Sequence, residues 1–337
     1  MRNCLVIVMG LLLTLGALGV YRLTDFTLPT DAQQHTLQVD YQQSRLEGTL
    51  IVPHGVVSPP VVLLVHGDGA QDRWSDGGYL PLVRYLVSQG IAVFSWDKPG
   101  VGASQGNWLA QTMDDRAHEA AFMLQQLKQM PELAASRVGF LGFSQAGWVV
   151  PDASAFAKAD FAILVGAAIN WRDQGSYYLR QRLSREGMSE QNIREAVARD
   201  SVDFATQFTP QAALRPCQAS CNRDDFERRN AFADARGAIA RMHTPVMIMM
   251  GKDDRNVDPQ ETLTVWAADL PANTVRCIKP VAGATHGLLR SRWFDYQLPS
   301  QWPLWKQGVF LLSGQYAWAP GALSGITDWI HTGTCTQ

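Results

Sequence analysis

Residues 138–147 of this 337-residue chain read Val-Gly-Phe-Leu-Gly-Phe-Ser-Gln-Ala-Gly. The apolar start is typical of a strand that is buried on both faces. Gly142 and Ala146 lie two positions on either side of Ser144, and small residues there let a helix begin directly after the strand. A serine on so sharp a turn projects its hydroxyl group beyond the end of the sheet. The stretch therefore predicts a nucleophilic serine, although an ordinary Gly/Ser turn before a helix has the same composition.

Further apolar runs on both sides of this stretch indicate more strands. Segments 36–41 and 46–52 alternate apolar and polar residues, as antiparallel strands with one solvated face do. Uninterrupted apolar runs, typical of strands covered on both faces, occur at 61–65, 91–96, 138–143, 161–166, 246–250 and 274–278. Helical segments separate them, notably 79–88 and 115–130. We therefore predict an α/β fold with an eight-stranded, mostly parallel sheet flanked by helices, its first two strands antiparallel at the edge.

Residues 170–243 interrupt this alternation, because they contain no strand-like run and predict several helices. Inserted after the sixth strand, they would lie over the sheet edge where the strands end. We therefore expect a core of residues 35–169 and 244–337 and a helical cap of residues 170–243. The alternative is a helical subdomain that only packs. The aromatic-rich segment 288–316 either lines a pocket or fills the core.

The first 20 residues are typical of a targeting segment. Arg2 precedes an uncharged, mostly apolar run from Cys4 to Val20. This run is near the lower limit for a membrane-spanning helix and slightly long for the apolar region of a signal peptide. We predict a signal peptide or an N-terminal membrane anchor, followed by a linker at residues 21–34. Either would place the protein in the periplasm, on the inner membrane facing the periplasm, or outside the cell.

Four cysteines lie outside that segment, an even number that suggests disulfide bonds in an exported chain. Sequence order favours Cys217–Cys221 and Cys277–Cys335, with other pairings or free thiols as alternatives. No metal site is expected, because no second close Cys or His pair accompanies Cys217 and Cys221, and no cofactor is predicted. A net charge of −2 argues against a nucleic-acid partner, which would need a basic surface for its phosphates.

The loops after the predicted parallel strands carry reactive side chains. Ligand sites of open α/β sheets form at the carboxyl ends of the strands, so these loops should meet at one edge. In chain order the loops hold His66 to Ala70, Asp97 to Ser104, Ser144, Gly251 to Pro259, and Ala282 to Gly287. A serine, an acidic residue and a histidine therefore follow one another, each at a strand end.

With these motifs the chain resembles the α/β-hydrolase family from about residue 36 to the C-terminus. It is most similar to the bacterial branch related to dienelactone hydrolases, prolyl-oligopeptidase-type peptidases and acyl esterases. The family's order of nucleophile, acid and histidine is found in Ser144, Asp254 and His286. The family spacing maps the acid to Asp254, with Asp253 as the alternative. The resemblance implies that His286 takes the proton of Ser144 and that the acid orients the imidazole ring.

The same resemblance implies an oxyanion hole built from main-chain N–H groups. One belongs to Gln145, at the start of the helix after the serine. The other belongs to a residue of the loop after residue 65, and we expect it to be Asp68. Since a carboxylate directed inward would repel an oxyanion, we expect the Asp68 side chain to turn away, toward Arg73.

For the reaction we expect hydrolysis of a small carboxylic ester through an acyl-enzyme intermediate. A serine peptidase acting on short peptides, either an aminopeptidase or one of the prolyl-oligopeptidase type, is the first alternative. An aminopeptidase needs acidic groups in the cap to hold the substrate's ammonium group, and in residues 170–243 the acidic residues are outnumbered by arginines. The second alternative is a catalytically inactive hydrolase fold that serves as a binding module. The sequence does not indicate an oligomeric state.

Overall fold

The computed structural model describes Gly19 and residues 21–335. The expected signal peptide or membrane anchor at residues 1–20 therefore lies outside the described residues, apart from Gly19. Within the part that is described, every helix is too short or too polar to cross a membrane.

A single sheet of eight strands organises the fold. The strands are β1 (Ala32–Tyr41), β2 (Ser44–Pro53), β3 (Val61–Val65), β4 (Ala92–Trp96), β5 (Val138–Phe143), β6 (Ala162–Val165), β7 (Val246–Gly251) and β8 (Arg276–Val281). Their order in the sheet is β1-β2-β4-β3-β5-β6-β7-β8. The β1–β2 and β2–β4 pairs are antiparallel, and all other neighbours are parallel. The predicted α/β architecture, with two antiparallel strands at one edge, is confirmed.

Helices cover both faces of the sheet. In the described residues they are α1 (Leu80–Ser88), α2 (Met113–Lys128), α3 (Val150–Ala157), α4 (Trp171–Arg185), α5 (Glu190–Gln207), α6 (Pro210–Ala213), α7 (Arg223–Asn230), α8 (Arg236–Ile239), α9 (Pro259–Asp269), α10 (Ser291–Phe294), α11 (Leu304–Ser313) and α12 (Ala322–Thr332). Helices α2, α3 and α9 pack on one face of the sheet, and α1 and α12 pack on the other.

Strand β3 illustrates why the buried strands have uninterrupted apolar sequences. All five of its side chains are buried. Val61, Leu63 and Val65 contact the layer of α2, α3 and α9, whereas Val62 and Leu64 contact the layer of α1 and α12. Successive side chains of a strand point to opposite faces, so a strand covered on both sides needs apolar residues at every position.

Helices α4 to α8 form the insertion between β6 and β7. Its first helix is capped by Asn170, whose side chain accepts hydrogen bonds from the main-chain N–H groups of Arg172 and Asp173, as N-cap residues do. Asn170 also pairs with Asp234 in an isolated β-bridge. The two ends of the insertion therefore meet at one point beside the sheet.

Part of the aromatic-rich segment before α12 packs against the core. Phe294 and Trp302 have ring centroids 4.9 Å apart, and Phe310 packs edge-on against both rings at 5.8 and 5.3 Å. These three residues belong to the apolar layer of α1 and α12. These three rings therefore fill the core, which is one of the two roles expected for this segment.

Both expected disulfide bonds are formed, Cys217–Cys221 and Cys277–Cys335. The first lies within the insertion. The second joins β8, where Cys277 is buried, to the end of the chain. Disulfide bonds persist in oxidising compartments, which is in keeping with an exported protein.

We expect loss of the Cys277–Cys335 bond to cost more stability than loss of Cys217–Cys221. The two bonds join residues separated by 58 and by 4 positions, and constraining unfolded loops of these lengths stabilises a protein by about 4 and about 2 kcal/mol. Chemical unfolding of the two Cys→Ala double variants without reductant measures the difference. Equal losses in the free energy of unfolding would mean that the bond to Cys335 only restrains the end of the chain and adds no stability from its longer loop.

Candidate active site

Ser144 lies on a tight turn at the end of β5. It begins a short 3₁₀ helix that leads into α3. Its φ of +54° is in the left-handed region, a strained conformation for a residue other than glycine and one that occurs at functional turns. A methyl group on Gly67 would approach Ser144 Cβ to 3.2 Å, and one on Gly142 would approach Ala146 Cβ to 2.6 Å. Close packing therefore requires the small residues around this serine.

Asp254 and His286 form a pair, with 2.8 Å between Asp254 Oδ2 and His286 Nδ1. The Asp254 side chain is fully buried. Its other oxygen accepts hydrogen bonds from the main-chain N–H groups of Asn256 (2.7 Å) and Val257 (3.0 Å). A carboxylate fixed in this way holds the imidazole ring in one orientation. Asp253, the other candidate acid, is exposed to solvent, so the geometry pairs His286 with Asp254.

The imidazole ring of His286 packs against Gly166, at the end of β6. Gly166 has a φ of +60°, and a methyl group there would lie 2.7 Å from both Nδ1 and Cε1 of the ring. Glycine is therefore needed both for its backbone conformation and for the space that the ring occupies. Ser144, Asp254 and His286 thus follow the carboxyl ends of the parallel strands β5, β7 and β8, at one edge of the sheet.

Two buried basic side chains hold the loop after β3. Lys98 Nζ donates to the carbonyl oxygens of Gly67 (2.6 Å) and Gly69 (2.8 Å), and Arg116 Nη2 donates to that of His66 (2.6 Å). Burial lowers the pKa of Lys98 well below its usual value and also lowers the pKa of Arg116. Several carbonyl groups of one short loop are therefore fixed toward the protein interior.

The orientation of these carbonyl groups determines where the loop's N–H groups point. In a trans peptide the C=O and N–H groups point in opposite directions, so the N–H of Asp68 faces away from Lys98. In residues 21–335, neither this N–H nor that of Gln145 donates to a protein acceptor. Both residues line the same cavity as Ser144, as the two expected oxyanion-hole residues should.

The Asp68 side chain turns toward the insertion, and the expected contact with Arg73 is wrong. Asp68 Oδ1 accepts hydrogen bonds from Arg223 Nη1 (2.9 Å) and Gln145 Nε2 (3.1 Å). Arg73 is bound instead to Asp97, 2.6 Å from Nη2 to Oδ2. Burial raises the pKa of Asp68, but the hydrogen bond and charge of Arg223 outweigh it and hold the pKa below its usual value. Asp68 is therefore a charged group that links the loop after β3 to α7.

His66 does not compete with His286 as a base. Its Nε2 lies 2.7 Å from the carbonyl oxygen of Trp96. Burial, with the nearby charge of Lys98, lowers its pKa to about 3. The ring therefore stays neutral at ordinary pH and fixes the loop.

A cavity of about 620 Å³ lies over Ser144, between the sheet edge and the insertion. Five aromatic residues contribute to its lining, together with a larger number of polar and charged ones: Trp148, Trp171, Tyr178, Phe204 and Phe208. The rings of Trp148 and Trp171 stack with centroids 5.1 Å apart. The insertion thus supplies most of the residues that line the cavity next to Ser144.

Comparisons with known proteins agree with this fold. An esterase from Pyrococcus furiosus has 16% identity and a TM-score of 0.55, over 86% of this chain and 91% of that chain. Est1E from Butyrivibrio proteoclasticus, with bound ferulic acid, has 16% identity and a TM-score of 0.53, over 82% of this chain and 98% of its own. At such identities the likeness concerns the fold alone.

Sequence comparison gives the family. No curated protein matches the chain. The family model described as serine aminopeptidase, S33, matches residues 59–292, which is more than half of the chain and includes Ser144, Asp254 and His286. The chain therefore belongs to this serine aminopeptidase S33 family of α/β hydrolases.

Proposed function

We propose that the protein is a serine hydrolase that cleaves small carboxylic esters through an acyl-enzyme intermediate. The observation that carries this proposal is the Asp254–His286 pair at the same sheet edge as Ser144, where Ser144 lines a cavity between that edge and the insertion. Each group has the environment that its role requires. The serine is on a strained, projecting turn, and the carboxylate has no exposure to water.

In the proposed reaction His286 Nε2 takes the proton of Ser144 as Oγ attacks the carbonyl carbon of the ester. The charge of Asp254 stabilises the imidazolium ion. The N–H groups of Asp68 and Gln145 donate to the oxyanion of the tetrahedral intermediate. His286 then protonates the leaving alcohol, and a water molecule, activated by the same imidazole, hydrolyses the acyl-enzyme.

The cavity supports an ester with apolar surface on its acyl or alcohol group. The ring of Trp171, stacked on the buried Trp148, offers a flat aromatic surface against which planar or branched apolar groups gain contact area. The esterase-like fold neighbours, one of which holds ferulic acid, are in keeping with this substrate class.

A serine aminopeptidase is the second candidate, and Asp200 and Asp203 favour it. Both line the cavity, and within the described residues neither side chain forms a hydrogen bond or an ion pair. Of the two arginines that line the cavity, Arg223 pairs with Asp68 and Glu227. The guanidinium group of Arg172 lies 5.8 Å from the centroid of the Phe204 ring and forms no ion pair with either carboxylate in the described residues. Unpaired carboxylates in a substrate cavity suit the ammonium group of a peptide N-terminus.

An Asp200→Asn/Asp203→Asn variant separates the two candidates. For an esterase, we expect kcat/KM on p-nitrophenyl butyrate to stay unchanged and aminoacyl-p-nitroanilides to be poor substrates of both proteins. An aminopeptidase would lose an ion-paired hydrogen bond, and kcat/KM on the anilides would fall roughly 10- to 100-fold. Asp224→Asn, which alters an exposed carboxylate of α7 outside the cavity, is the control. An anilide-specific loss would overturn the ester assignment and leave the serine mechanism intact.

A further inference from the structure

Helix α11 carries an apolar face that is exposed to solvent. Its exposed fractions are 83% for Leu304, 58% for Trp305 and 55% for Leu312. Leu311 and Tyr316, 41% and 55% exposed, extend the same surface. We call these five residues the α11 face. Exposed apolar side chains are usually scattered singly, so a contiguous group of this size indicates an interface.

Apolar residues of α11 face both the core and the solvent. Positions 304, 305, 311 and 312 recur at the interval of one helical face. Val309 and Phe310 of the same helix pack against the core. The core therefore accounts for Val309 and Phe310, whereas within the described residues the α11 face stays largely exposed.

The N-terminal end of the described chain reaches this face. A methyl group on Gly19 would lie 3.6 Å from Leu312 Cδ2. The guanidinium group of Arg22 lies 4.4 Å from the centroid of the Tyr316 ring. Gly19, near the end of the uncharged run of residues 4–20 in the sequence, therefore lies beside the α11 face.

The polar groups around the α11 face match a lipid interface better than a protein partner. Lys306 Nζ lies 5.3 Å from the ring centroid of Trp305 and 4.6 Å from that of Tyr296. Tryptophan and tyrosine side chains concentrate at the level of lipid headgroups, and nearby Lys and Arg extend their charges to the surface. The neighbouring acidic group, Asp25, accepts a hydrogen bond from the main-chain N–H of Gln315.

We propose that the α11 face docks into the headgroup region of a bilayer, next to the point where the run of residues 4–20 enters the same membrane. A spanning helix needs about 20 apolar residues, and this run is slightly shorter, so a second lipid contact would strengthen attachment. Docking would also fix the orientation of the folded part relative to the membrane, because two adjacent contacts restrict its rotation.

A fluorescent label at position 311 of the full chain tests the proposal. The other cysteines outside position 4 are paired in disulfide bonds, so Cys4→Ser/Leu311→Cys provides one thiol for the dye NBD. On reconstitution into phosphatidylethanolamine/phosphatidylglycerol vesicles, we expect its emission to shift to shorter wavelength and rise several-fold. Lipids with a nitroxide near the headgroup should then quench it. The same label at Leu214, 85% exposed within the insertion, should show neither effect.

Two triple variants that each replace three exposed apolar side chains provide the second comparison. In the chain labelled at position 311, the face variant replaces three residues of the α11 face by Gln: Leu304, Trp305 and Leu312. The control variant replaces three exposed apolar residues elsewhere by Gln: Val57, Val202 and Leu214. Quenching should be lost in the first variant and kept in the second. Water-like emission from position 311 in the unsubstituted labelled chain would overturn the proposal, as would a shift to shorter wavelength without lipid quenching, which would mean that protein covers the face.

Discussion

Ser144→Ala and His286→Ala variants should each lower kcat on a p-nitrophenyl ester by about 10⁴-fold or more, because nucleophile and base act as one unit. The double variant should lose scarcely more than either single one. A fluorophosphonate probe, followed by mass spectrometry of the labelled peptide, should mark Ser144 in the unsubstituted protein. Steady-state kinetics and thermal unfolding of each variant measure the effect and verify the fold.

Ser154→Ala is the matched control for this experiment. Ser154 lies on α3, just after the serine turn, and is buried. Its hydroxyl group has no hydrogen-bond partner among the described residues, so its loss should leave kcat unchanged. Ester hydrolysis that survives Ser144→Ala would require another nucleophile. A protein that neither takes up the probe nor hydrolyses any ester would instead be the inactive binding module.

The fold could be predicted because strands that are buried on both faces have uninterrupted apolar sequences. A strand covered on both faces has no position for a polar side chain, and the apolar run at 61–65 coincides with β3. The order of the strands across the sheet could not be predicted in this way. β4 lies between β2 and β3, and nothing in the composition of these strands distinguishes this order from a sequential one.

The candidate site was predictable where its residues follow strands, and unpredictable where contacts join distant segments. Ser144 and His286 each follow a strand whose apolar run is visible. Asp68 and Arg223 are 155 positions apart, and Arg73 was a nearer and equally plausible partner by charge. Lys98 stands in a polar loop where solvent exposure would be the ordinary expectation. Only the folded chain places it among carbonyl groups in the interior.

Asp254→Asn should lower kcat by about 10³- to 10⁴-fold, whereas Asp253→Asn should change it by less than about threefold. The reason lies in the hydrogen bonds of the carboxylate. Asp254 Oδ1 accepts the N–H groups of Asn256 and Val257, so an asparagine would keep its oxygen there and direct its NH₂ group toward His286 Nδ1. The ring proton would then move to Nε2, the nitrogen that must accept the proton of the serine.

Kinetics of the two variants across a pH series, with thermal unfolding as the check on folding, measure this difference. Asp253 is the matched control, because it is the same residue type one position away and is exposed to solvent. The hydrogen bond from Tyr177 to the main-chain oxygen of Asp254 does not involve the substituted side chain and should hold the loop in both variants. If kcat instead falls strongly in Asp253→Asn and stays nearly unchanged in Asp254→Asn, the acid is Asp253 and the tautomer argument is wrong.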